Sequence, residues 1–165
     1  MKNIFLNCII FLFSISLAHS SEKIVFIDID YILNNSNIGK NIYKELEIIN
    51  KKNIDLLTNK EKKIQEKKMS IEKMKNISSK EKIQKDIELF NEEVEKYRIE
   101  KDDLVNDFKI LKDGKLNDFL QKLSQIVENY MKNNTIDLVI EKNQIFLGNS
   151  NNDISDDILV LVNKE

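Results

Sequence analysis

The hydrophobic positions of this chain change their period along its length, and each change marks an element. "KIVFIDID" (Lys23–Asp30) is an unbroken apolar run until its aspartates, the profile of a strand buried on both faces. "YILNNSNIG" then reads as a short helical turn or loop punctuated by Gly39. From Lys40 to about Lys132 there is one glycine and no proline among dense charge, which predicts long helix. "TIDLVIEKNQIFLGN" returns to short apolar runs either side of a polar turn, predicting a second strand over 136–141 and a third over 144–147. "DISDDILVLVNK" closes as a helix, with Asp153 or Ser155 as its cap and acidic residues in its first turn.

The helical region breaks once, at "KNISSKEK", where Ser78 and Glu81 have the spacing of a capping box. Beyond it, Ile83, Ile87, Phe90, Val94, Tyr97, Lys101, Leu104, Phe108 and Leu111 alternate spacings of four and three, a coiled-coil seam. After Gly114 the pattern resumes one residue out of phase as Leu116, Leu120, Leu123, Val127 and Tyr130, which predicts a local bend. The first helix is less regular. Ile42, Leu46, Ile49 and Leu56 form a stripe, but Asn53 and Lys60 stand at core-like positions.

Charge supports folding the two helices onto each other. Residues 60–85 hold ten Lys and four Glu, net +6, while residues 86–107 hold nine acidic and three basic residues, net −6. A hairpin turning near 76–79 lays lysine-rich 60–69 beside acidic 86–95, and such pairs help select partner and orientation. Roughly 37 residues per limb at ~1.5 Å rise give an arm of about 55 Å, longer than a domain of this size needs for its own core.

The N-terminus stands apart. "MKNIFLNCIIFLFSISLAHSS" has one lysine, an apolar run, then Ala18 and Ser20 before Ser21, the layout of a cleaved secretory signal peptide over residues 1–20. The apolar run falls short of the ~20 residues a membrane-spanning helix requires. Cleavage removes Cys8 and His19, the only cysteine and histidine. What remains cannot build a disulfide, a Cys/His zinc site or a histidine-based catalytic pair. It carries 25 basic and 28 acidic residues, net −3, too balanced for a dedicated nucleic-acid binder.

The chain is thus expected to be α+β: a long antiparallel coiled-coil hairpin over 40–133 protruding from a small β-rich body built from 21–39 and 134–165. Three strands and one short helix cannot cover two apolar faces, so the body is expected to bury itself against copies of itself. Ile24, Val25, Ile27, Leu138, Val139, Ile140 and Phe146 are the candidate interface residues, and strand two is expected to lie beside strand one.

"KIVFIDIDYIL", the charged helical hairpin, "IDLVIEKNQIFLGNS" and the closing "DISDDILVLVNK", in that order, resemble the Skp/OmpH family of periplasmic chaperones. The resemblance implies a jellyfish-shaped homotrimer, with a shared strand body and three hanging arms. It also implies an ATP-independent holdase that binds unfolded outer-membrane β-barrel proteins after export, without a cofactor. No glycine-rich phosphate loop is present. Ile64, Met69, Ile71, Met74 and Ile77 near the arm tip are candidate client contacts, although they can equally complete the seam. Lys67, Lys68, Lys73 and Lys75 would allow weak contact with an anionic membrane surface, but a solvated charged face explains them as well. Two other classes are open: an envelope scaffold with the same helices, and an enzyme using Asp28, Asp30, Asp156 and Asp157, whose ordinary roles are strand ends and helix caps.

Overall fold

The computed structural model describes residues 22–164. The expected signal peptide lies outside them. Strand β1 (Ile24–Ile27) leads through Asp28 into α1 (Ile29–Asn35); α2 (Asn37–Met74) and α3 (Lys80–Asn134) then pack along each other as a hairpin. Strand β2 (Leu138–Glu141), single 3-10 turns at Lys142–Gln144 and Ser150–Asn152, and α4 (Ser155–Val162) complete the fold.

The first two helices start where the chain supplies a side-chain acceptor for their free N–H groups. Asp28 Oδ1 accepts from the Tyr31 N–H at 2.9 Å and opens α1. Ser36, fully buried, closes α1 through its own N–H and opens α2 by accepting from the Gly39 N–H at 3.0 Å. Gly39 is therefore not loop punctuation but part of the first turn of α2, which begins before Lys40. A Cβ on Gly39 would stand 1.7 Å from the Leu33 carbonyl oxygen, so only glycine lets α1 and α2 meet this closely.

The arm turn is tied to one carbonyl: Ile77 and Ser78 both donate to the Met74 oxygen, at 3.1 and 3.0 Å. That draws Ser78 into the bend and makes Ser79 the N-cap of α3, without a side-chain cap bond. Glu81 then stands at the second helical position rather than the third, and the predicted capping box does not form. Helix α3 runs unbroken through Gly114 for 55 residues. It ends on Thr135 at φ 51°, ψ 48°, an uncommon left-handed conformation for a β-branched residue, which drops Ile136 into the core.

The sheet differs from the expected one. β1 and β2 are parallel, in register Ile24↔Leu138 to Ile27↔Glu141, and their crossover is the entire hairpin. Residues 144–147 form no strand. After Glu141 the chain makes a 3-10 turn and crosses the face of β1, where Gly148 lies close against the Phe26 ring. It then reaches the opposite edge of β1, and Ile154 N–H donates to the Phe26 oxygen at 3.0 Å. Lys142 bridges Asp153 (2.9 Å) and Asp28 (3.6 Å), holding the start of the crossing to both sides of β1.

The core lies under one face of β1. Val25 and Ile27 meet Ile32 and Leu33 of α1, Phe119, Leu123, Ile126 and Val127 of α3, Ile136, and Ile154, Ile158 and Val162 around α4. Each such side chain contributes roughly 1.5–3 kcal/mol by leaving water. Four of them come from α3, so the body extends into the helix expected to belong to the arm.

Candidate functional site

Three cross-helix ion pairs set the register of the arm: Glu45–Lys115 at 2.8 Å, Lys60–Glu100 and Lys67–Glu93. In every pair the two residue numbers add to 160, so α2 and α3 run past each other without a slip. The expected opposition of lysine-rich 60–69 to acidic sequence holds at Lys67–Glu93, and at Lys60 it reaches on to Glu100.

The Lys60–Glu100 and Lys67–Glu93 pairs lie in the seam rather than beside it, whereas exposed Glu45 stands next to the seam residue Leu46. From Asn53 to the end of α2 the half-buried positions are Asn53, Leu57, Lys60, Ile64, Lys67, Ile71 and Met74, a strict four-and-three pattern. Leu57 takes the place expected of Leu56, which is 36% exposed. On α3, Glu100 occupies the place expected of Lys101, because the facing residue is a lysine. Nearer the body the buried residues are Phe119, Leu123, Ile126 and Val127, and Leu120 is outside at 40% exposure. A groove of about 330 Å³ opens along the middle of the seam, lined by Lys60, Ile64, Glu93, Tyr97 and Glu100 among others.

The expected client contacts divide in two. Ile64, Ile71 and Met74 are half-buried in the seam, whereas Met69 and Ile77 are exposed at 52% and 86%. Sequence reasoning passed over Ile48, Ile54, Ile99, Val105 and Ile110, all more than half exposed and spread singly along both helices. Their signal was available, since each is a β-branched apolar residue off the seam. Lys67 is tied to Glu93, while Lys68, Lys73 and Lys75 are exposed around the turn.

The expected interface residues also separate. Val25 and Ile27 are 3% and 6% exposed inside this chain's own core, so they offer a partner nothing. Val139 and Ile140 are half-buried; Ile24, Leu138 and Phe146 are exposed at 42%, 47% and 96%, joined by Leu147 at 84%. Among the described residues no strand pairs with the far edge of β2.

Three of the four aspartates weighed for acid–base chemistry, Asp28, Asp156 and Asp157, hold the body together. Asp28 caps α1, and its own N–H donates to the Ser155 hydroxyl at 2.8 Å. Asp156 accepts from the Tyr31 hydroxyl at 2.8 Å and Asp157 from the Tyr130 hydroxyl at 2.6 Å, each pinning α4 to a neighbouring helix. Asp30 is exposed in the first turn of α1. The hydrogen bond that the Tyr130 hydroxyl donates to Asp157, with some burial, pushes the Tyr130 phenol up to about 12. Burial raises Asp153, but hydrogen bonds from Ser155 and Lys142 outweigh it and hold the carboxyl below its usual value. Among the described residues no group of three or more His, Cys, Asp or Glu could hold a metal, and no helix is long and apolar enough to cross a membrane.

The architecture is a small parallel body carrying a long two-helix arm, with Asp28, Asp156 and Asp157 committed to a helix cap and to pins on α4. The family model for outer membrane protein (OmpH-like) matches residues 23–161, and the chain belongs to that family. Its fold is that of an OmpH-like protein from Caulobacter crescentus CB15, described in its crystal structure as a candidate outer membrane chaperone. The two share 11% identity at a TM-score of 0.80, over 87% of this chain and 85% of that one. No curated protein sequence matches the chain.

Proposed function

We propose that this protein is an ATP-independent periplasmic holdase that binds unfolded outer-membrane β-barrel proteins and keeps them from aggregating. It reaches the periplasm through its cleaved signal peptide and works as a homotrimer, with the bodies joined and three arms enclosing the client. Membership of the OmpH-like family and the fold shared with a candidate outer membrane chaperone support this reading. The observation that carries it is the arm: single apolar side chains such as Ile48, Ile99 and Ile110 stand in water along a helix pair with a partly polar seam. Barrel strands alternate apolar and polar residues and aggregate when unpaired. Scattered weak contacts hold such chains by multiplicity and release them one at a time.

The test is dilution of a urea-unfolded barrel protein into buffer with excess protein, followed by light scattering. Suppressed scattering is expected. Unchanged scattering would sink the holdase and favour an envelope scaffold without client binding. Contact of the tip lysines with anionic membrane is a weak addition to this reading, and vesicle flotation tests it separately.

A further inference from the structure

The body carries an apolar knob and an apolar hole that do not meet within one chain. The hole is a groove of about 460 Å³ between the open side of β2 and the root of α3, walled by Leu120, Leu123, Val127, Met131, Leu138 and Ile140. Two of these, Leu120 and Leu138, are 40% and 47% exposed. Its only charged lining residues are Glu128 and Glu141. The knob is Phe146–Leu147, 96% and 84% exposed at the crest of the crossing over β1. Gly148 makes that crest possible: a Cβ there would lie 3.0 Å from the Phe26 ring and 3.4 Å from Ile145. The crossing therefore presses Ile145 and Gly148 inward and leaves Phe146 and Leu147 facing water.

Charge distribution points to the occupant. Residues 143–152, "NQIFLGNSNN", contain no charged side chain, the longest such run among the described residues of a chain that is 33% charged. Depletion of charge around an aromatic anchor is the composition of an interface centre. A knob without acidic residues also suits a groove whose only charges are glutamates. The groove wall and the knob are joined through β2, whose outer edge has no strand partner among the described residues. A knob on one side of a body and a hole on another make a heterologous contact, which closes into a ring when the rotation allows.

We propose that Phe146 and Leu147 of one copy seat in the β2–α3 groove of the next, so that each groove is completed by a second copy of this chain. This rests on the self-association in the reading above and adds which surfaces meet.

The test uses the full chain expressed for export, with Cys8→Ser so that engineered thiols are the only ones. Gln144→Cys, exposed two residues before the knob and leaving it intact, is mixed with Leu120→Cys and treated with a short bis-maleimide. A crosslinked dimer is expected, and none when Ile110→Cys, exposed on the same helix beyond the groove, replaces Leu120→Cys. Sedimentation equilibrium on the same samples separates the failures. An oligomer that shows no 144–120 crosslink, or crosslinks equally well at 110, overturns the docking and leaves self-association standing. A monomer across micromolar concentrations overturns both. The double variant Phe146→Ser/Leu147→Ser leaves the core untouched and is expected to weaken association at least ~100-fold at unchanged helical content. Unchanged association would also overturn the docking.

Discussion

The root of the arm and its middle are built from the same two helices, yet they are held by opposite means. At the root, Phe119 and Leu123 are 2% and 3% exposed against β1, α1 and α4. In the middle, the seam holds Asn53, Lys60 and Lys67, and two lysine–glutamate pairs do what leucines would do elsewhere. Side-chain exposure at those pairs is 36–43%, so solvent screens them and each adds little stability. The root therefore fixes where the arm points, while the seam fixes which residues face each other and leaves the limb weakly bound to itself. The proposed holding of varied clients would draw on that division.

The comparison breaks most sharply in truncation. Phe119→Ala should cost about 3–5 kcal/mol in chemical denaturation, whereas half-buried Ile64→Ala should cost about half that or less. Equal losses would mean the arm is as tightly packed as its root. Gly39→Ala should cost at least ~1–3 kcal/mol, because the Leu33 carbonyl is backbone and cannot swing aside. Its effect belongs to the root, so the cross-helix pairing of the arm should survive.

Replacing the middle by the chemistry of the root should reverse the sign. Lys60→Leu with Glu100→Leu is expected to stabilise the hairpin by about 1 kcal/mol, seen as a higher Tm and a smaller salt dependence. The same variant should hold clients less well if a yielding arm matters; unchanged aggregation assays would separate stability from function.

The smallest effect is electrostatic and confined to the body. Tyr130 has its folded pKa raised, from 10.0 to about 12, so the stability it contributes is complete below pH 10 and is lost as pH rises towards 12. Asp157→Asn should bring its phenolate absorbance back towards an ordinary tyrosine titration. Asp153 has the opposite sign: its folded value is lowered, so its contribution is present above the unfolded value of 3.8 and is lost as pH falls below it. Alkali and acid thus loosen different pins of the same body.

The helices and strand one were legible because their signals are local: period, charge and the absence of proline. The α3 seam was readable from Ile83 to Phe108, and it failed at Lys101 because the residue that decides that position, Lys60, is on another helix. The same limit hid Leu57 behind Leu56. The third strand was misread because "NQIFLGN" has strand composition, while its path is set by the Phe26 ring beneath Gly148 and by Lys142 reaching Asp28 and Asp153. Of the interface candidates, alternation alone could not say that Val25 and Ile27 face this chain's own helices. Burial on one face and exposure on the other look identical in an unbroken apolar run.

The parallel pairing of β1 with β2 also dictates an order of assembly. The first strand precedes its partner by about 110 residues, and a free loop of that length costs about 2 kcal/mol more to close than one of about ten residues. Zipping the arm removes most of that penalty, since pairing Lys67 with Glu93 and then Glu45 with Lys115 carries the two chain ends to one place. A chain of this design is thus expected to close its own sheet last, and a fault in the charge ladder should delay the birth of the body as well as loosen the arm.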